Sequence, residues 1–281
     1  MIGYTKLGSN GRLGNQMFQY AALRGIASHR GYDWVIPPPN DYRQTNYGLF
    51  ECFEMSGVSK KNLGILPASF PTYKASTDAF DEEFFNKCPD NCNLEDYFQT
   101  EKYFSHIRED IKKDFQFKEE HLKLCKEFIS EIGDAIFLHV RRGDYVNLQH
   151  YHPVCELSYY EQALEKFDKN IPVLVFSDDI AWCDKQEFFS SDRFLLSENN
   201  ERYSHLHIDA DGQMRHSLVP YIDLCLMSLC SGGIIANSSM SWWGAWLIEN
   251  PSHPIIAPKK WYGASTNIDD SDLIPERWER I

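Results

Sequence analysis

No apolar run in this 281-residue chain approaches the roughly 20 residues needed to cross a bilayer, so a membrane-spanning helix is not expected. The opening MIGYTKLGSNGRLG has no apolar stretch of the kind a secretory signal carries. A soluble, cytoplasmic protein is the expectation, with any membrane contact peripheral. Positive charge is also short: 28 Lys and Arg stand against 41 Asp and Glu, a net charge of -13. That surface repels polyanions, which argues against nucleic acid as a partner. It leaves room for a local basic pocket holding one small phosphate ligand.

Other absences narrow the chemistry. The eight cysteines follow no framework spacing, and several lie in apolar surroundings where thiols pack as small hydrophobes. Cys88 and Cys92 lack the second pair that a four-ligand metal site needs. There is no GxSxG elbow, and Cys155 beside His150 and His152 has no activating context for a nucleophile. Neither GxGxxG nor GxxxxGK[ST] occurs.

What is present is a chain 43% hydrophobic and 14% aromatic, enough for one large core or two small ones. Ile2 to Leu7 reads as a strand, residues 8–15 as a glycine-rich turn, and Asn15 to His29 as a helix with Met17, Phe18, Ala21, Ala22 and Ile26 at helical spacing. A second strand follows at Trp34 to Ile36. Residues 40–93 are irregular, read as loops that contribute to an acceptor pocket. Helices are expected over Thr100 to Phe115 and Lys118 to Ile132, with Gly133 as a stop and a domain boundary there. Beyond it, strands at Ile136 to Val140, Val173 to Phe176, Arg193 to Leu196, Ile234 to Ala236 and Ile255 to Ala257 alternate with helices. One of these helices opens at the Ser158–Glu161 capping box and runs to about Lys169; another runs from Ser217 to Leu229. The alternation predicts mostly parallel sheets.

Three strand ends carry polar residues. Ile136 to Val140 runs into Arg141, Arg142, Gly143 and Asp144, and alternation puts His139 and Arg141 on one face. A planar guanidinium at a parallel strand's end suits a phosphate bidentately; the bland alternative is an Arg142–Asp144 pair with Arg141 exposed. Asp178 and Asp179 end the next strand. A carboxylate offers only acceptors, which fits the paired N–H donors of a guanine edge, or else caps a helix over Ile180 to Phe188. Asn237, Ser238, Ser239 and Ser241 open a helix, either as an ordinary N-cap or as an anion cradle. Together the three ends describe a nucleotide-diphosphate site. Asp209 with Asp211 and Asp270 with Asp272 match the letters of a metal-holding DxD motif but are read as solvated loops, as are His205 and His207. Arginine at the diphosphate makes a metal redundant for charge neutralisation. Trp242, Trp243 and Trp246 are read as core rather than a sugar platform.

GRLGNQMFQYAALRGIA, HVRRGDY, VFSDD and LMSLCSGGIIANSSMSWWGAWL, in that order from residue 11 to about 250, resemble the α-1,2-fucosyltransferases of glycosyltransferase family 11. The resemblance implies a GT-B-type α/β fold: two Rossmann-like domains with mostly parallel sheets facing across a cleft. Residues 1–133 would form the acceptor side and residues 134–281 the donor-binding domain. It also implies inverting transfer of L-fucose from GDP-β-L-fucose to the 2-hydroxyl of a galactose in an oligosaccharide, with no metal and no cofactor. Carried onto this sequence, Arg141 binds the β-phosphate with His139 beside it, Arg142 and Asp144 shape the loop, and Asp178 reads guanine. Ser238, Ser239 and Ser241, with Asn237, hold the diphosphate, while Gly14 and Asn15 line the cleft. Asp144 is a base only by its nearness to Arg141. Fucosyl transfer of another linkage, such as α-1,6, and a silent glycan-binding protein on the same scaffold are the alternatives.

Overall fold

The computed structural model describes residues 1–196 and 219–281. They form two compact units, one of Met1–Lys118 with Ile268–Pro275, the other of Glu119–Asn267 with Glu276–Ile281. In the first, β1 (Ile2–Gly3), β2 (Trp34–Val35), β3 (Thr72–Tyr73) and β4 (Cys92–Leu94) make a parallel sheet of order β2-β1-β4-β3. Helix α1 (Leu13–Arg30) packs deep in this unit and ends at Gly31, whose φ of 67° lets its N–H reach back to the last turn. Short helices α2 (Leu49–Cys52), α3 (Glu82–Lys87) and α4 (Arg108–Asp114) complete it.

The long helix expected over Thr100 to Phe115 is broken. Two 3-10 turns, Glu101–Tyr103 and Ser105–Ile107, precede α4. Tyr103 and Phe104 are both buried, and the Phe104 backbone, at φ -136° and ψ 4°, leaves the helical region and interrupts the run. Strands β3 and β4 carry too little alternation to read from sequence; their residues are ordered by the neighbours they pair with.

In the second unit α5 (Glu119–Ile132) leads to β5 (Ile136–Val140), α6 (Leu157–Leu164), β6 (Val173–Ser177), α7 (Ile180–Asp184), β7 (Phe194–Leu196) and α8 (Val219–Leu229). Then come β8 (Gly233–Ile234), α9 (Ser239–Leu247), β9 (Ile255–Ala257) and β10 (Glu279–Arg280). The sheet is parallel throughout, of order β10-β9-β8-β5-β6-β7. From β5 the chain steps outward through β6 to β7, then returns to β5's other side for β8 and continues through β9 to β10. That is double winding with its switch point between β5 and β8, where ligands bind in such sheets. Strand β5 is buried on both faces; Ile136, Leu138 and Val140 share a core with Tyr160, Ala163, Leu164, Ile180 and Cys183.

Two readings are corrected here. Helix α5, placed before the boundary at 133, lies in the second unit: Cys125 and Phe128 are buried, and the Cys125 thiol donates to the Ile222 carbonyl of α8 at 3.8 Å. The Ser158–Glu161 box caps nothing, because α6 starts at Leu157 and stops at Leu164. Its position is fixed by tertiary bonds from Tyr159 to the Ile235 carbonyl (2.7 Å) and from Tyr160 to the His139 carbonyl (3.1 Å). Ser217 lies outside the described residues, as do His205, His207, Asp209 and Asp211.

Candidate active site

Strands β5 and β6 pair in register from Ile136 opposite Val173 to Val140 opposite Ser177. The residues just beyond, Arg141 with Asp178 and Arg142 with Asp179, therefore emerge side by side at the carboxyl edge. Arg141 Nη1 lies 2.6 Å from Asp178 Oδ2, and Nη2 pairs with Asp144. The Arg141 guanidinium sits over the Tyr145 ring, 4.9 Å from its centre. Arg142 Nε meets Asp179 at 3.1 Å, and its guanidinium stacks on Trp182 at 3.9 Å. The Arg142 backbone N–H donates to Asp178 Oδ1 at 2.8 Å. Gly143 makes this turn possible, since a Cβ there would overlap the Asp178 carboxylate.

This arrangement reassigns several partners. Asp178, expected to accept from a guanine edge, also holds one bond on each oxygen, from the Arg141 guanidinium and from the Arg142 N–H. The Arg142–Asp144 pair does not form; each arginine takes the aspartate that strand register brings to it, and Asp144 turns to Arg141. Tyr145 and Trp182 were not singled out from sequence, and Asp179 was marked only as the end of its strand. The signal available was the doublet: two apolar strands, each ending in a pair of like charges of opposite sign.

The β8 edge is divided between structural and exposed groups. Asn237 is buried; its Nδ2 donates to the Pro153 and Trp261 carbonyls (2.9 and 3.0 Å), and its Oδ1 accepts from the Cys155 thiol at 3.6 Å. It ties three segments together and presents nothing outward. Ser241 is also buried, its hydroxyl turned back to the Ser238 carbonyl at 3.3 Å. Ser238 and Ser239 stay partly exposed where α9 begins, beside first-turn N–H groups that a helix leaves without intrahelical partners. Tyr145 joins the two edges: its ring lies under Arg141 and its hydroxyl donates to the Asn237 carbonyl at 3.3 Å. Arginine and helix start thus flank the switch point between β5 and β8.

His139 lies beneath, buried, with Nδ1 unpartnered. Burial and then the Arg141 charge push its pKa down to about 3, so the ring is neutral. Burial pushes the Cys155 thiol up to about 11, in keeping with a packing role. Trp242, Trp243 and Trp246 are fully buried and pack against one another, as core. Asp272 is occupied by Lys102 and by the Phe80 N–H at 3.2 Å. In the first unit, Gly14 is buried in α1, and Asn15 accepts from Gln99 Nε2 at 2.9 Å. The neighbouring Gln16 and Gln19 are buried anchors: Gln16 accepts from the Gly48 N–H at 3.1 Å, and Gln19 donates to the Asn10 carbonyl at 2.9 Å.

Residues 2–280 match the family model described as Glycosyl transferase family 11. An alpha-1,2-colitosyltransferase of Escherichia coli is 30% identical, over 96% of this chain and 96% of its own. The O-antigen biosynthesis glycosyltransferase WbnK of the same species is 29% identical, over 96% of this chain and 97% of its own. The galactoside 2-alpha-L-fucosyltransferase SEC1 of Bos taurus is 24% identical, over 87% of this chain and 64% of its own. Among solved structures, the α-1,6-fucosyltransferase NodZ soaked with GDP-fucose aligns over 90% of this chain and 96% of its own, with a TM-score of 0.53 at 14% identity, a likeness of fold. Two parallel α/β units, as the GT-B type requires, carry a match that runs almost end to end, and the chain belongs to glycosyltransferase family 11, as a glycosyltransferase.

Proposed function

We propose that this protein transfers L-fucose from GDP-β-L-fucose to the 2-hydroxyl of a galactose in an oligosaccharide, with inversion and without a metal ion. The observation that carries the reading is Arg141, held by Asp178 over Tyr145 at the sheet's switch point, next to the start of α9. As the sugar–phosphate bond breaks, charge grows on the β-phosphate, and a pre-positioned guanidinium beside it lowers the barrier without reorganising. Ser238, Ser239 and the first-turn amides of α9 take the remaining phosphate oxygens. Asp144 is half exposed, its side chain 50% accessible, and it is the carboxylate whose place on Arg141 the diphosphate takes. Asp178 stays and keeps the guanidinium aimed. The three aspartates at this edge are all engaged by arginine, and a loose, oxocarbenium-like transition state asks little of a base.

The 2-linkage is supported by the names of the curated relatives, which include galactoside 2-alpha-L-fucosyltransferases and an alpha-1,2-colitosyltransferase. The second of these names makes a colitosyl donor the alternative worth testing. The experiment is turnover of GDP-fucose with galactosides in EDTA, with the product linkage read by NMR, and GDP-colitose run in parallel. An α-1,2-fucosylated product formed in EDTA is expected. Product from GDP-colitose alone would replace the donor, and activity lost only on chelation would overturn the metal-free mechanism.

A further inference from the structure

The Arg141 guanidinium rests on a ring that has no core of its own. Tyr145 belongs to the 3-10 turn Gly143–Asn147, none of whose residues is buried, so packing into a core does not fix its side chain. Its hydroxyl donates to the Asn237 carbonyl at 3.3 Å, a long bond at one end of the ring. The ring itself is held by a neighbour: the His152 imidazole stacks on it, with centres 4.6 Å apart and planes 15° from parallel. Tyr262 lies next to His152 in turn, at 6.0 Å between ring centres.

His152 can serve as a brace because its backbone is tied on both sides. The Tyr151 carbonyl accepts from the Gly263 N–H at 2.9 Å, and the Pro153 carbonyl accepts from Asn237 Nδ2 at 2.9 Å. The His152 N–H itself donates to the Leu148 carbonyl at 2.8 Å. Glycine is required at 263, because a Cβ there would stand 2.1 Å from the His150 carbonyl oxygen. Buried Asn237, which presents nothing outward, thus anchors the segment that carries the imidazole. Burial lowers the His152 pKa from its ordinary value, with Asp144 opposing the shift and Arg141 adding to it, so the ring stacks uncharged at neutral pH.

We propose that His152 is a positioning residue that fixes the Tyr145 ring and, through it, keeps the Arg141 guanidinium aimed once the diphosphate has displaced Asp144. This rests on the phosphate-binding role given to Arg141 above. Without donor, two carboxylates and the ring hold the guanidinium. With Asp144 displaced, Asp178 holds one terminal nitrogen and the ring limits rotation about it. The brace therefore counts most in the loaded site, where charge develops on the phosphate.

Two substitutions and a double-mutant cycle test it. His152→Leu keeps apolar bulk but cannot stack flat on Tyr145, whereas His152→Phe keeps the flat ring and loses both nitrogens. For transfer from GDP-fucose, kcat is expected to fall about tenfold or more in His152→Leu, with acceptor KM, circular dichroism and melting temperature close to wild type. His152→Phe should restore kcat. In an Arg141→Lys background, which has already lost the fork, His152→Leu should cost little further, because the effect runs through Arg141. Equal losses from His152→Leu in both backgrounds overturn the assignment. So does a His152→Phe variant as slow as His152→Leu, which would make the imidazole nitrogens, and not the stack, what the reaction needs. His152→Met replaces the leucine variant if the latter does not fold. Loss of turnover in Arg141→Ala beside an unchanged kcat in His152→Leu sinks the positioning role alone; full turnover in Arg141→Ala sinks the functional reading with it.

Discussion

Arg141 shows why residue identity and residue geometry have to be argued together. Its two terminal nitrogens point at different carboxylates while its face rests on Tyr145, a set of contacts only a planar, forked cation can make. Arg141→Lys is therefore expected to lower kcat by about 10²–10³-fold, the cost of losing an aimed transition-state donor. Arg141→Ala should be at least as slow, with the fold intact by circular dichroism; near wild-type turnover in the lysine variant would remove the guanidinium from the mechanism. His139 makes a different kind of prediction. The folded ring resists protonation down to about pH 3, while the unfolded one binds a proton near pH 6.5. Between those values the unfolded state holds more protons, so stability falls as pH falls. From pH 7 to pH 5 this one residue costs about 2 kcal/mol. Urea midpoints should show a shallower acid loss in His139→Asn than in wild type; equal slopes would mean the ring is solvated.

At the level of elements, the site is a consequence of how β5 and β6 align. Both strands were legible as short apolar runs, and their terminal charge doublets were legible too. Their one-to-one pairing was not, because nothing local in either segment states which residue lies opposite which. Gly143→Ala tests the alignment directly. The added Cβ meets the Asp178 carboxylate, which must turn away and release Arg141. Turnover is expected to drop on the order of 10²-fold, as for a small misplacement of a positioned group, with little change in melting temperature. A fully active alanine variant would show that Asp178 does not aim Arg141. Helix α9 was half legible: its serines marked a start and its tryptophans a core, yet which serines face outward depends on how deeply α8 and the Pro153 and Trp261 segments bury that start.

For the molecule as a whole, the two compact units set what calorimetry should report. The residues assigned to the diphosphate lie in the second unit, so GDP should stabilise that unit's transition, by about 2.7 kcal/mol at a hundred times its dissociation constant. The shift should persist in EDTA, because arginine supplies the countercharge. No shift with GDP, or one that appears only with a divalent ion, would contradict the donor site described above. No helix among the described residues is long and apolar enough to cross a membrane.

The sequence by itself determined the parts whose physics is local. Alternating apolar runs set the parallel α/β class, and the arginines, aspartates and serines at strand ends marked where an anion binds. Family membership followed from motifs kept in order along the chain. Only the tertiary structure decided which of these groups work on each other. Strand order placed β8 beside β5, though α6, β6, α7, β7 and α8 lie between them in the chain, and register matched Arg141 with Asp178 and Arg142 with Asp179. It also withdrew Asn237 and Ser241 into the interior and brought Tyr145 beneath Arg141. These choices belong to ladders and packing between distant segments, whose free energy depends on all the partners at once, and no single stretch of sequence carries it.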